Sequence, residues 1–507
     1  MRILLDSRVR IALRDLPPIV LFDLQEAFTH PNPAYRQLIR LKKLYAAAQL
    51  PKVITTFEVT NDEATFPRGG FKRVRSILQQ HKITTFEVFD ERVEGEELLW
   101  LPDSGQTLDW FQAEAIALAE KSQNCLIRAP TGSGKTTAAI SLISKLKRPA
   151  MILVWTEGLR AQWVKRLRAE LGLDKDQVGE WGGGIKEEAD LLVAMDQSLA
   201  KGVPDWMKTK YGVLICDEVQ RFAAKSFRSV VDQFPAKYRI GLSADETRTD
   251  ELECLIYDEF GSVSYEISQE AVDATGRTVP VEIVMVPTNL RVEGKNVHER
   301  TKAMEGNEER NKLIFSLIKA NRKKQVLLVA PRVEHCRKLD VELIRRGYRS
   351  GLVIGGADNK AEYKRTVDGL IDGKIDVAVG TVEAIGTGID IPTLEVAIVA
   401  DPIATNLQLL NQVRGRICRG NVPGKTKGVL YYLWDQYVYG RRSLNGLTDK
   451  YPGMVKVQVK PGDLVEPYFY RTPRTKTLFD GIVLGCIIET STRLGVIGQE
   501  HETPSLP

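Results

Sequence analysis

Residues 125–136 read Cys-Leu-Ile-Arg-Ala-Pro-Thr-Gly-Ser-Gly-Lys-Thr, and this segment constrains the fold most. A short apolar strand runs into a glycine-rich loop, which opens a helix at Lys135 and Thr136. Glycines let backbone N–H groups turn inward onto phosphate oxygens, and the helix adds its positive dipole end. The segment therefore predicts a nucleotide site built from Pro130, Thr131, Gly132, Ser133, Gly134, Lys135 and Thr136. Lys135 would reach the β- and γ-phosphates of ATP, and the Thr136 hydroxyl would bind Mg²⁺. Ala129 stands where the general loop pattern begins with glycine.

A second strand, Val213-Leu-Ile-Cys216, ends in Asp217-Glu218. In a parallel sheet the C-terminal strand ends face the ligand crevice. Asp217 would hold the Mg²⁺ hydration shell, and Glu218 would orient or deprotonate the attacking water.

Around these segments the chain alternates short apolar runs with longer amphipathic stretches. The runs include Ala150–Trp155, Gly212–Cys216 and Arg239–Leu242, then Gln325–Ala330, Gly351–Ile354, Ile375–Val379 and Leu394–Ala400. Alternation of this kind predicts parallel βαβ units. A polar stretch between them places a junction near 288–308. The expected organisation is an α/β chain: an N-terminal α+β domain at 1–103, α/β domains at 104–288 and 289–445, and a C-terminal extension at 446–507.

The first hundred residues differ. Ile54-Thr-Thr-Phe-Glu-Val59 recurs as Ile83-Thr-Thr-Phe-Glu-Val88, and both copies read as strands. A helix is expected from Tyr35 to Ala48, and a short basic helix after Pro67. Residues 31–83 hold ten Lys or Arg against three acids, whereas 84–103 hold one Arg against seven acids. Arg68, Lys72, Arg73 and Arg75 lie beside Phe66 and Phe71. Charges interleaved with aromatics suit a nucleic-acid backbone and its bases.

The whole chain has 71 basic and 66 acidic side chains among 507 residues, a balance too mild to identify a partner by itself. No apolar run approaches the roughly 18 residues of a membrane helix. The six cysteines form no CxxC pair. The expectation is a reduced, cytoplasmic protein of a bacterium or a phage-infected host, monomeric and independent of membranes.

Taken in order, the segments resemble the superfamily 2 helicases and translocases. Ala129–Thr136 resembles their motif I, Asp217-Glu-Val-Gln220 motif II, and Gly241–Asp250 motif III with its extension. Gly380–Pro392 resembles motif V, and Gln412-Val-Arg-Gly-Arg-Ile-Cys-Arg419 motif VI. Gln220 stands where many members have His, and Asp245 where many have Thr. Within the superfamily, the Gln-Trp at 162–163 and Arg248/Asp250 look most like the XPB and phage UvsW branch.

The resemblance implies two tandem RecA-like domains with ATP bound between them. It implies that Gln112 contacts adenine, that Gly388 and Asp390 lie near ATP, and that Arg416 and Arg419 act on the γ-phosphate. It implies strand contacts by Thr156, Arg160, Gln197, Thr381 and Glu383, and a substrate-recognition role for the N-terminal domain. The function implied is an ATP-dependent DNA helicase or translocase acting on forked or branched DNA without sequence preference, in recombination or repair. An RNA helicase, a motor subunit that does not unwind, and a non-catalytic nucleic-acid clamp remain as alternatives.

Overall fold

The computed structural model describes residues 1–221, 224–244, 251–288, 290–292, 297–330, 332–381, 384–385, 391, 393–400, 407–420, 422–439 and 455–456. Three main sheets, each with its own apolar packing, organise them.

The first core underlies a small mixed sheet. Strands β1 (Arg2–Leu5), β2 (Arg8–Ala12), β5 (Glu58–Val59), β6 (Glu63–Pro67) and β7 (Glu87–Asp90) lie in the order β5-β6-β2-β1-β7. Helices α1 (Pro18–Ala27) and α4 (Phe71–Gln80) close one face. They bury Val20, Leu24, Val74 and Leu78 against Ile3, Val9, Ile11 and Phe66. Between the two halves, β3 (Thr29–Pro31) and β4 (Val53–Thr55) pair antiparallel and carry an excursion over residues 32–52.

The excursion corrects one expectation. The helix expected from Tyr35 to Ala48 is two helices, α2 (Pro33–Arg40) and α3 (Leu44–Ala48), parted at Lys42, where φ is +57°. Asn32 staples the base: its Oδ1 accepts from Ala34 and Tyr35, and its Nδ2 donates to Pro51 O at 2.8 Å.

The sequence echo is likewise not a structural repeat. The first copy splits between β4 and β5 at Thr56, which is buried and donates to Asp258 Oδ2 at 2.5 Å. In the second copy only Glu87 and Val88 are in a strand. Identical residues meet different tertiary partners, and the partners decide.

The second sheet comprises β8 (Asn124–Arg128), β9 (Ala150–Val154), β10 (Val178–Gly182), β11 (Ile185–Lys186), β12 (Leu191–Met195), β13 (Val213–Cys216), β14 (Tyr238–Ser243) and β15 (Val263–Glu266). Their order is β11-β10-β12-β9-β13-β14-β8-β15, parallel except for the β10–β11 hairpin. Strands β9, β12 and β13 are buried at every position, as a sheet covered on both faces requires. Leu98 and Leu101, expected in the N-terminal domain, pack into this core.

The third sheet comprises β16 (Val281–Thr288), β17 (Gln325–Ala330), β18 (Ser350–Val353), β19 (Val377–Thr381), β20 (Leu394–Val399), β21 (Gly428–Asp435) and β22 (Val455–Lys456), ordered β18-β19-β17-β20-β21-β16-β22 and parallel throughout. Strand β16 corrects the expected junction. The chain crosses between the α/β layers before Val281, because Ile283, Val284, Met285 and Val286 are buried alongside β21. No helix of the described residues is long and apolar enough to cross a membrane.

Candidate nucleotide and strand site

The phosphate loop lies at the C-terminal end of β8, a strand buried between β14 and β15. The N–H of Ala129 donates to Ser243 O at 2.9 Å, tying the loop to the end of β14. Gly132 and Gly134 have φ of +94° and +76°, the left-handed turns that gather successive amides into an anion cradle. Helix α6 (Lys135–Leu146) leads away from the loop, and helix α5 (Trp110–Ser122) reaches it through Gln112. That side chain is fully buried; it donates to Ser133 O at 2.8 Å and accepts from Asp109 N at 2.9 Å. Gln112 thus braces the loop through its backbone carbonyls. Ser133 is buried beneath the loop, while Pro130, Thr131 and Thr136 are partly exposed on it. Lys135 Nζ donates to Ala129 O at 2.6 Å, folded over the mouth of the cradle.

Asp217 and Glu218 follow β13 onto the same end of the sheet. The Trp163 indole donates to Asp217 Oδ2 at 2.8 Å, and the Glu218 N–H donates to Oδ1 at 3.0 Å. Burial, and then the neighbouring Glu218 charge, push the Asp217 carboxyl up to about 6; the Trp163 hydrogen bond and Lys135 oppose them. A bound cation would reverse that balance. Glu218 sits at φ +54° and accepts a short hydrogen bond from Gln220 Nε2. Ser243 Oγ donates to Gln220 Oε1 at 2.8 Å. Gln220 therefore connects the carboxylate pair to the end of β14. Asp245, Arg248 and Asp250 lie outside the described residues.

The second α/β layer meets the loop directly. A methyl group added to Gly415, on the helix Leu407–Ile417, would lie 2.7–2.9 Å from the Thr131 side chain. One added to Gly132 would lie 2.6 Å from Thr278 Cγ2 and 3.6 Å from an Arg419 guanidinium nitrogen. Arg416 lies near Tyr363, where its charge opposes the upward push of burial on the phenol. Gly388, Asp390 and Glu383 lie outside the described residues. Two residues without a motif also reach the loop. Arg277 Nε pairs with Asp109 Oδ2 at 2.9 Å, and Thr278 covers Gly132; only the fold brings this connecting segment to the site.

The expected strand contacts divide. Thr156 caps helix α7 (Glu157–Leu171), accepting from Leu159 N at 3.3 Å. Gln197 is exposed, and Thr381 is buried at the end of β19. Arg160 is a correction: it is buried, pairs with Glu180 at 3.0 Å and donates to Gly182 O, so its guanidinium is committed within the fold. Arg68 is another. It is buried and donates to Asn124 Oδ1 at 3.0 Å and to Ala236 O at 2.5 Å, joining the first core to the second. Arg73 pairs with the buried Asp258 at 2.9 Å and covers the Phe28 ring. Lys72 and Arg75 remain exposed, with Arg75 beside Phe71 and Phe86.

A further group of cations without ion pairs lies on the 32–52 excursion. Arg36, Arg40, Lys42, Lys43 and Lys52 are all exposed on the 32–52 excursion, which holds no acid, and Tyr45 beside them is 84% exposed.

Residues 79–248 match the family model described as "Type III restriction enzyme, res subunit", and residues 309–421 match "Helicase conserved C-terminal domain". These spans hold motifs I to III and most of the second layer through motif VI. The chain belongs to the superfamily 2 helicases. The chain is 24% identical to "DNA 3'-5' helicase XPB" of Kineococcus radiotolerans, over 63% of this chain and 58% of that protein. It is 26% identical to "Probable helicase D10" of Escherichia phage T5, over 64% of this chain and 71% of that protein. The match therefore spans little more than half the length of the bacterial relative. A Dbp5 variant from S. cerevisiae, solved with RNA and ADP BeF3, shares the fold at a TM-score of 0.52 and 16% identity, covering 71% of this chain and 91% of that one. The two parallel layers of this helicase are tandem RecA-like domains.

Proposed function

We propose that this helicase is an ATP-driven DNA motor that unwinds or branch-migrates forked DNA. The observation that carries the reading is the meeting of Gly415 and Arg419 with the phosphate loop, which unites motifs I and VI in one cleft. The left-handed glycines, the amine at the loop mouth and the buried carboxylate fit ATP and Mg²⁺. When bound, ATP supplies the phosphoanhydride whose hydrolysis drives the cycle.

The chain's own groups then have distinct tasks. Lys135 would exchange the Ala129 carbonyl for phosphate oxygens, and Thr136 and Asp217 would hold the cation, which would supply charge stabilisation at the phosphates. Glu218, held by Gln220, orients the attacking water and takes its proton. Arg416 and Arg419 stabilise charge on the γ-phosphate, an effect worth roughly 10³ to 10⁵ in rate, or about 4 to 7 kcal/mol. Because both domains contribute groups, occupancy favours a closed cleft and hydrolysis releases it.

The name of the XPB relative supports DNA as the track. The unpaired cations and exposed Tyr45 of the 32–52 excursion support an additional contact with the phosphate backbone and splayed bases of a fork. That surface replaces Arg68 and Arg73, which are committed to the fold.

Steady-state ATP hydrolysis with no nucleic acid, single-stranded DNA, duplex DNA, forked DNA and matched RNA tests the proposal. Stimulation strongest with forked DNA and absent in Lys135→Ala is the expected result. Stimulation by RNA alone would overturn the assignment to DNA, and hydrolysis retained in Lys135→Ala would overturn the site.

A further inference from the structure

Helix α7 is capped by Thr156, a residue of the expected strand-facing motif, and carries Trp163 two turns further on. The Trp163 ring is 1% exposed. Its single polar atom is spent on Asp217, the carboxylate assigned above to the cation. Arg166, three residues later on α7, donates to Thr137 Oγ1 at 2.6 Å, immediately beside Thr136. One helix thus makes polar contacts with both cation-holding segments.

The geometry limits what Asp217 can do. One oxygen takes a backbone N–H from Glu218, and the other takes the indole N–H. An indole donates only, and its planar ring has two side-chain torsions, so a buried indole fixes a hydrogen-bond direction at little entropic cost. The remaining lone pairs of the carboxylate are thereby aimed. Outer partners of this kind orient the groups that hold metals.

We propose that Trp163 is a positioning residue for Asp217, fixing the direction of its carboxylate from helix α7. The inference rests on the nucleotide-site reading above. It assigns the tryptophan of the Gln-Trp pair a role in the ATP site, distinct from packing.

The test uses the full chain and fluorescent mant-ADP, titrated with Mg²⁺ and separately in EDTA. Trp163→Phe keeps an aromatic ring and removes the donor. Val164→Ala trims the buried side of the same helix without touching Asp217. In Trp163→Phe, the Mg²⁺ needed for half-maximal enhancement of binding should rise about tenfold or more. Affinity in EDTA should be unchanged. Val164→Ala should keep the wild-type Mg²⁺ dependence, and Trp163→His, which restores a ring N–H, should recover part of it.

A folded Trp163→Phe protein with wild-type Mg²⁺ dependence would overturn the proposal, as would an equal shift in Val164→Ala. A second measurement needs no variant. In wild-type protein with ¹⁵N-labelled tryptophan, one indole resonance should move when Mg²⁺ is added to the ADP-bound protein; seven unmoved indoles would also overturn it. Failure of the wild type to bind mant-ADP at all would instead remove the nucleotide-site reading, and this inference with it.

Discussion

Replacing Gly415 with alanine tests the cleft at the point where its two halves touch. The added methyl would meet Thr131 Cγ2 at 2.7 Å, Cβ at 2.8 Å and Oγ1 at 2.9 Å. Ordinary carbon contacts lie near 3.5–4.0 Å, so the helix Leu407–Ile417 must withdraw from the loop by about 0.7 Å or more. A displacement near 1 Å at a reacting centre costs about 10²-fold, or about 2.7 kcal/mol in the barrier. The helix itself should not suffer, because alanine is favoured over glycine in a helix interior by about 1 kcal/mol. Gly415→Ala should therefore reduce kcat for ATP hydrolysis about 100-fold. It should leave the melting temperature unchanged or raised, and mant-ADP affinity within about threefold of wild type, because the first domain's loop is intact. Hydrolysis rates, nucleotide titration and thermal unfolding of the same preparation separate these quantities. A kcat within threefold of wild type would refute the contact, and a loss accompanied by a clear fall in melting temperature would refute the reasoning that the defect is one of closure.

Three further outcomes follow from other parts of the molecule. Asp258 and Cys254 push the His30 imidazole up from 6.5 to about 9; its folded value exceeds its unfolded one, so its stabilisation is complete below about pH 6.5 and lost as pH rises through 9. The difference in stability between wild type and His30→Gln should shrink by up to about 3 kcal/mol over that window, and a pH-independent difference in thermal unfolding would contradict this. Replacing Arg40, Lys42 and Lys43 together with alanine should reduce the salt slope of log K for forked DNA by about 2 to 3, whereas Arg73→Ala should lower the melting temperature and leave the slope alone; fluorescence anisotropy across a salt series distinguishes them. Gln220→Ala removes a hydrogen bond to a charged group, worth about 1.5 kcal/mol, and should slow DNA-stimulated hydrolysis about tenfold; a wild-type stimulated rate would show that Glu218 needs no such support.

The parts of this site that were legible in the sequence share one property: their geometry is set within a few residues. The loop from Ala129 to Thr136 needs only a strand before it, glycines at two left-handed positions and a helix after it. Asp217 needs only the end of a buried strand. Arginine roles were less legible because a guanidinium answers to whichever carboxylate or carbonyl the fold delivers. Arg160 finds Glu180 on the neighbouring strand, and Arg68 finds Ala236, 168 residues away. The charge imbalance of residues 31–83 was correct as a sum and gave no indication that its interleaved half, around Arg68 and Arg73, would be consumed by Asn124, Ala236 and Asp258.

That consumption has a mechanical consequence. Asp258 takes Arg73, His30 and Thr56 at once, while Glu259 beside it takes Arg239 and Arg228. Breaking one partner from a buried charge costs about 3 to 5 kcal/mol, more than thermal motion supplies to a flexing joint. His30 lies in β3 and Thr56 directly follows β4, so the base of the 32–52 excursion is pinned to the first RecA-like domain through Asp258. A strand pulled by that domain would move past cations fixed to the same rigid body. The side chains withdrawn from the surface are thus the ones that hold the exposed cations in place.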